Sequence, residues 1–183
     1  MFICDSLHRR CTRTSVNDTH GGIVMKKHPK IRLLVMDVDG TLTDGCIYIG
    51  AEGETMKAFH VQDGYGIVHI LPELGISPAI ITGRSSKIVQ KRAGELKIHH
   101  LYQGIGDKLS KLQELAAELG LNPENIAYIG DDANDLDCIR WCGFTGCPAD
   151  AVPEVLEAVH YVCRREGGRG AVREFISRLQ GNP

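Results

Sequence analysis

The chain has 183 residues, 43% of them hydrophobic and 24% charged, with a formal net charge of −2. That length suffices for one domain with its own core, and so balanced a charge excludes a binder of nucleic acid or anionic membrane driven by bulk charge. No apolar run in the sequence reaches the roughly 20 residues that a membrane span needs.

Residues 1–28 differ from the remainder of the chain. They show no apolar periodicity and are rich in Arg, Ser, Thr and Gly. They are expected to form a disordered extension, with Met25 as the start of the functional chain and one domain over residues 29–183. The seven cysteines lack a disulfide-like frame, which fits reduced thiols and a cytoplasmic location. Cys138, Cys142 and Cys147 have a C-x3-C-x4-C spacing with no fourth ligand, so no zinc cluster is expected there.

From Ile31 onward, apolar runs alternate with helical patterns. "IRLLVMD" predicts a strand ending at Asp37. "CIYIGAEGETMKAF" comes next, where Ile47 and Ile49 flank Tyr48 before the turn "AEGE"; this predicts a β-hairpin lying as a flap near the end of the first strand. "GYGIVHILPELG" predicts a helix whose last turn Pro72 shortens or kinks. "GISPAIITG" predicts a strand ending at Thr82, and "SSKIVQKRAGEL" a helix capped by Ser85. A weaker strand, "IHHLYQG", precedes the clearest helix, "DKLSKLQELAAELG". There Leu109, Leu112, Leu115, Ala116 and Leu119 share one face and Gly120 is the stop. "NIAYIGDD" predicts a strand ending at Asp131, and "DANDLDCIRWCG" and "AVPEVLEAV" predict helices. "GFTGCP" and "AVHYVC" are short strands, and "GAVREFISRL" closes the chain as a helix with Val172, Phe175, Ile176 and Leu179 on one stripe.

Alternating strands and helices predict an α/β fold: a parallel central sheet with helices on both faces. Ligands of such sheets bind at the carboxyl ends of the strands, where Asp37, Thr82 and Asp131 all fall. Asp37, Asp39, Asp131, Asp132 and Asp135 would then converge on one rim. Several carboxylates stay ionised together only around a cation, and an all-oxygen donor set selects Mg2+ over zinc or copper.

"DVDGTLTDG" matches the DxDGT motif of the haloacid dehalogenase (HAD) superfamily of phosphohydrolases. "IITGR", Lys108 in "GIGDKLSKL" and "IGDDANDLD" match its other three motifs, in order, so the resemblance runs from about Ile31 to the C-terminus. It implies a HAD-like Rossmannoid three-layer sandwich and an aspartyl-phosphate mechanism. Asp37 is then the nucleophile and Asp39 the general acid-base, with Asp39 offering Mg2+ only its backbone carbonyl. Asp37 and Asp131 bind the metal by side chain, with Asp132 and Asp135 as supporting ligands or outer shell. Thr82 and the Gly83 N–H hold phosphoryl oxygens, and Lys108 neutralises Asp37 and the phosphoryl group in flight.

The intervals where HAD cap domains insert are short here, so the chain resembles the capless members. Among these, "FHVQDGYGI", "ITGRSS" and "REGGRGAVREFI" resemble the 3-deoxy-D-manno-octulosonate 8-phosphate (KDO 8-phosphate) phosphatase family. That resemblance implies a homotetramer, a hairpin packed into a small barrel, and a site covered by a neighbour's C-terminal tail. It also implies a substrate pocket that includes Asp63 and Gly64, with Arg84, Arg92 and Lys108 at its anionic end. His60 and Gln62 stand where the family form has Asn and Arg, which leaves related nonulosonate 9-phosphates open as substrates. Apart from the resemblance, Arg84 and Arg92 also read as ordinary surface residues of a helix, and "GGRGAVRE" as a loop and then a helix start. Two other functions stand beside the sugar-acid phosphatase: a non-catalytic assembly module partnering an acylneuraminate cytidylyltransferase, and a phosphoprotein phosphatase using an open rim.

Overall fold

The structure, a computed structural model, describes residues 31–181. The expected extension over residues 1–28 therefore lies outside the described residues.

Six strands form one sheet: β1 (Leu33–Met36), β4 (Ser77–Ile81), β5 (His100–Tyr102), β6 (Ile126–Ile129), β7 (Phe144–Cys147) and β8 (Tyr161–Val162). Their order is β5-β4-β1-β6-β7-β8, and every neighbouring pair is parallel. β1 is central, and all four of its residues are buried, as its unbroken apolar run requires of a strand covered on both faces. Met36 pairs with Ile80 on one side and with Ile129 on the other. The register thus ends β1, β4 and β6 almost level, and Asp37, Thr82 and Asp131 leave the sheet at one edge. Backbone bonds continue just past the strands, from Asp37 N–H to the Ile129 carbonyl at 3.0 Å and from Thr82 N–H to the Tyr102 carbonyl at 3.0 Å.

Alternate strand residues feed two cores. Leu34, Met36, Ile80 and Ile129 pack under α2 (Leu71–Leu74), the stretch Gly66–Ile70 that joins it to α1 (Val61–Tyr65), α3 (Lys87–Glu95) and α7 (Ala171–Leu179). Leu33, Val35, Ile81, Ile126 and Tyr128 pack under α4 (Lys108–Leu119), α5 (Leu136–Trp141) and α6 (Pro153–Ala158). This is the predicted three-layer sandwich. Cys138, Cys142 and Cys147 lie in the second core as free thiols, and burial raises each well above the ordinary thiol range. They fill space there as small hydrophobes.

The predicted hairpin is present as β2 (Tyr48–Gly50) and β3 (Gly53–Met56), an antiparallel pair separate from the main sheet. No cap domain interrupts residues 31–181.

Three local expectations are corrected. The helix expected from Gly64 begins three residues earlier, at Val61, and so takes in Asp63 as well. Pro72 does not cut it short. Instead a π-helical stretch, Gly66–Ile70, joins α1 to α2, and Leu71 N–H reaches the Gly66 carbonyl five residues back. Because Pro72 has no N–H, it cannot hold the ordinary ladder at that point, and a wider turn absorbs the fault. Ser86, not Ser85, caps α3: its Oγ accepts from the N–H groups of Ile88 at 3.2 Å and Val89 at 3.4 Å.

The glycine-rich tail is an integral part of the domain. Gly167 sits against the loop after β1, where a Cβ would come within 1.8 Å of the Gly40 carbonyl oxygen, and Gly168 N–H donates to the Thr41 carbonyl at 3.1 Å. Then α7 buries Ala171, Val172, Phe175 and Ile176, with Phe175 stacked on Phe144 at 5.5 Å. The loop-then-helix reading of this segment therefore holds within the chain.

Candidate active site

The rim above β1, β4 and β6 gathers the predicted residues. Asp37 comes directly after β1 and is buried. The loop beyond it turns at Gly40, whose φ of +94° favours glycine; a Cβ there would lie 2.0 Å from Asp131 Oδ2. Glycine at this position lets the loop after β1 close onto the loop after β6. Thr41 completes the junction by donating from Oγ1 to Asp131 Oδ1 at 2.7 Å.

Lys108 enters from the opposite core. It is the first residue of α4, whose start is fixed by Asp107 accepting from Ser110 N–H at 3.0 Å. A cation at a helix N-terminus opposes the helix dipole, so helix formation alone does not favour lysine there. The carboxylates do. Lys108 Nζ donates to Asp37 Oδ1 at 2.8 Å and to Asp135 Oδ1 at 2.7 Å, and it lies 3.4 Å from Asn134 Oδ1. Burial alone would lower its pKa, but the charges of Asp37 and Asp135 outweigh burial and raise it.

Carboxylate oxygens of Asp37, Asp131 and Asp135 lie within 4.8 Å of one another. Their surroundings differ. Asp135 is fully buried, and Oδ1 accepts from Lys108 and from the Tyr128 hydroxyl at 2.6 Å. Its Oδ2 accepts from the N–H groups of Asp131 at 3.0 Å and Asp132 at 3.2 Å. A carboxylate has about four lone-pair sites, and these four donors use them. Asp37 and Asp131 are less well served. Burial pushes Asp37 up to about 6, with the charge of Asp135 adding to it and Lys108 opposing. Burial pushes Asp131 up to about 7, against the Thr41 hydrogen bond. Asp37 shares its one ammonium, Lys108, with Asp135, and Asp131 has no hydrogen-bonded cation among the described residues. Asp132 is turned to its own backbone, with Oδ1 accepting from Ala133 N–H at 2.7 Å to cap the turn Ala133–Asp135.

Asp39 lies at the edge of the cluster, partly buried. Its Oδ1 accepts from Lys57, and Arg84 Nε stands 3.7 Å from Oδ2. Thr82 is buried past the end of β4, and its carbonyl accepts from Ile105 N–H at 3.1 Å. Gly83 is exposed, and an added Cβ would meet Ile105 and Asn134 only at ordinary contact distance.

Three expected pocket residues point elsewhere within the chain. Asp63 is buried at the start of α7, where Oδ1 accepts from Arg173 N–H at 2.7 Å. Gly64 faces Arg92, leaving its Nη2 only 2.7 Å from the site of a would-be Cβ. Arg92 pairs with Glu95 at 3.1 Å and lies over the Phe59 ring at 5.7 Å. The structure brings none of these three to the Asp37–Asp131 cluster.

Sequence reasoning missed Thr41, Tyr128 and Lys57. Thr41 was within reach as the last residue of the DxDGT motif. Tyr128 reads as one more residue of an apolar strand, and Lys57 as an ordinary charge on a hairpin.

A parallel sheet whose central strand ends in Asp37-x-Asp39, faced by a buried lysine and an aspartate loop, defines a phosphoryl-transfer site of the HAD type. Comparison with known proteins agrees. The haloacid dehalogenase-like hydrolase family matches residues 97–176. The 3-deoxy-D-manno-octulosonate 8-phosphate phosphatase KdsC of Yersinia pestis is 50% identical over 151 residues, covering 82% of this chain and 80% of the relative. That of Escherichia coli (strain B / BL21-DE3) is 50% identical over 156 residues, covering 85% and 82%. A crystal structure of the Moraxella catarrhalis enzyme with magnesium, phosphate and KDO superposes with a TM-score of 0.80 at 44% identity, covering 83% of this chain and 87% of that one. The chain belongs to the haloacid dehalogenase-like hydrolases, in the family of the KdsC phosphatases.

Proposed function

We propose that this chain is a Mg2+-dependent phosphatase of a sugar-acid monophosphate, KDO 8-phosphate or a related nonulosonate 9-phosphate. The observation that carries this reading is the convergence of Asp37 and Asp131 beside Lys108 at the strand ends. Asp37 and Asp131, both short of positive charge and offering only hard oxygen donors, fit Mg2+, with the Asp39 carbonyl as a third donor. When bound, the ion offsets the repulsion between the phosphate dianion and Asp37 and orients both. Asp135 and Asp132 stand outside the metal's ligands in this reading: Asp135 fixes Lys108, and Asp132 caps its turn.

The residues then divide the work. Asp37 attacks phosphorus as Asp39 gives a proton to the departing sugar alkoxide. Lys108, Thr82 and the Gly83 N–H hold the phosphoryl oxygens as charge moves across them. Asp39, now a carboxylate, takes a proton from the water that cleaves the aspartyl phosphate. Arg84, already at the Asp39 edge, suits the substrate carboxylate, since guanidinium binds carboxylates bidentately. An assembly module without catalysis would have no need of this buried, charge-strained cluster.

The test is phosphate release from KDO 8-phosphate, N-acetylneuraminate 9-phosphate and simple sugar phosphates, with Mg2+ and after chelation. A sugar-acid phosphate should give the highest kcat/KM, and chelation should remove at least about 99% of turnover. Equal rates on all esters, or turnover indifferent to chelation, would contradict the reading.

The raised carboxyls imply a pH dependence. Between 3.8 and about 7, the folded metal-free chain holds more protons on Asp37 and Asp131 than the unfolded chain does. These groups therefore cost stability as pH rises through that window, and Mg2+ must displace their protons to bind at its lower end. Excess Mg2+ should raise the unfolding temperature more at about pH 7.5 than at about pH 5. An equal rise would place the ion elsewhere.

We also infer a homotetramer, with the hairpin at its centre. Ile49 is 73% and Met56 54% exposed on that hairpin, beside Tyr48, which is also exposed, and this supports a covered role. Light scattering should return four chains; a monomer would refute it.

A further inference from the structure

A second lysine is buried at the rim, outside the four motifs. Lys57 stands just after β3 at the base of the hairpin, and its side chain is 1% exposed. Its Nζ donates to Asp39 Oδ1 and pairs with Glu54 Oε1 at 3.0 Å. Glu54 in turn accepts from Ser86 Oγ, the cap of α3, and lies 3.8 Å from Arg84 Nη2. Lys57, Glu54 and Ser86 thus link the hairpin, the start of α3 and the loop after β1.

Burying an ammonium is costly unless its partners are held in place, and here they are. Among the described residues Lys57 is the one hydrogen-bond donor to the Asp39 carboxylate; Arg84 stands too far away at 3.7 Å. Without Lys57, Asp39 would be a partly exposed side chain free to change rotamer. With it, Oδ1 is pinned, and Oδ2, 3.7 Å from Arg84 Nε, is left without a hydrogen bond among the described residues.

We propose that Lys57 is a positioning residue for Asp39, holding its carboxyl group where Oδ2 meets the leaving oxygen of the ester. This rests on the phosphatase reading of the site. In the first step Asp37 forms a bond to phosphorus as the phosphorus–alkoxide bond breaks, and the Oδ2 proton passes to the alkoxide. In the second, Asp39 takes a proton from water as the water oxygen bonds to phosphorus and the Asp37–phosphorus bond breaks. Lys57 keeps its protons throughout. The hairpin thereby takes part in the chemistry through one side chain, beyond lying over the rim.

The test compares two esters of similar shape. p-Nitrophenolate leaves without needing a proton, while phenolate is far more basic and needs one. In Lys57→Met, kcat/KM for phenyl phosphate should fall at least about tenfold more than for p-nitrophenyl phosphate, because only the first uses the positioned acid. Lys57→Arg, which keeps the ion pair, should restore the ratio. A ratio equal to wild type, whether both rates fall together or neither falls, would overturn the proposal and leave Lys57 a mere tether of the hairpin. Should Lys57→Met fail to fold, Lys57→Gln is read by the same ratio. A wild type that releases phosphate from neither these esters nor KDO 8-phosphate would instead refute the phosphatase reading and this one with it, whereas an active wild type isolates the failure to Lys57.

Discussion

Asp37→Asn is expected to lower phosphate release by at least about 10^4-fold while leaving the fold intact. The substitution keeps the shape of the side chain, and an amide oxygen can still accept from Lys108 at the place where Asp37 Oδ1 stands 2.8 Å from Nζ. What it removes is the charged oxygen proposed to attack phosphorus and one of the two carboxylates assigned to the ion. Stability should move the other way. Burial and the charge of Asp135 hold Asp37 near 6, so at neutral pH its ionised form is a cost that the fold carries. The metal-free variant should therefore unfold at a higher temperature than metal-free wild type, and gain less from Mg2+. A variant that keeps more than about 1% of wild-type turnover would rule out Asp37 as nucleophile.

Lys108→Met should do the reverse to stability. Lys108 is almost wholly buried and hydrogen-bonds Asp37 and Asp135 together. Methionine fills much of the same volume but leaves both carboxylates buried with no shared cation. Breaking a buried pair from one side costs about 3–5 kcal/mol, which for a domain of this size is a fall of roughly 10 °C in unfolding temperature. The deficit should shrink as pH falls toward 5, because the stranded carboxyls then take up protons. Turnover should drop by at least about 10^2-fold, since the same ammonium is proposed to neutralise the phosphoryl group. A variant as stable as wild type at neutral pH would mean that the cluster is not held by this lysine. Thermal unfolding across pH, read beside a phosphate-release assay, measures both effects.

Much of this site is legible before folding, because strand ends are. The apolar runs ending at Asp37, Thr82 and Asp131 fix three elements, and parallel alternation then sends all three residues to one edge. The register that levels Met36 with Ile80 and Ile129 makes that inference concrete. The helix from Lys108 to Leu119 was equally plain, because its apolar face and its Gly120 stop agree.

What stayed hidden depends on contacts between distant segments. Ser85 and Ser86 are the same residue type side by side, and only the helix direction chooses the second as cap. Pro72 signals a fault in the ladder but not whether the helix ends or widens, and tertiary packing of Ile67, Ile70 and Leu71 against the sheet keeps it going. Asp63 is drawn to the N-terminus of α7 by a free N–H group 110 positions away, which no local pattern announces. Tyr128 looks like core because it is core; only its hydroxyl, aimed at Asp135, joins the site. The aspartates of the rim looked alike in sequence, yet the fold gives Asp135 four donors and Asp131 one side-chain donor, the difference on which their proposed roles rest.

The most direct measurement is chemical trapping of the phosphorylated enzyme. The protein is mixed with KDO 8-phosphate and Mg2+, quenched in acid within the first turnover, reduced with borohydride and mapped by mass spectrometry. Reduction converts a phosphorylated aspartate to homoserine. The account predicts homoserine at position 37 and unmodified aspartate at 39, 131 and 135. Homoserine at another of these positions, or none while phosphate is being released at full rate, would contradict it.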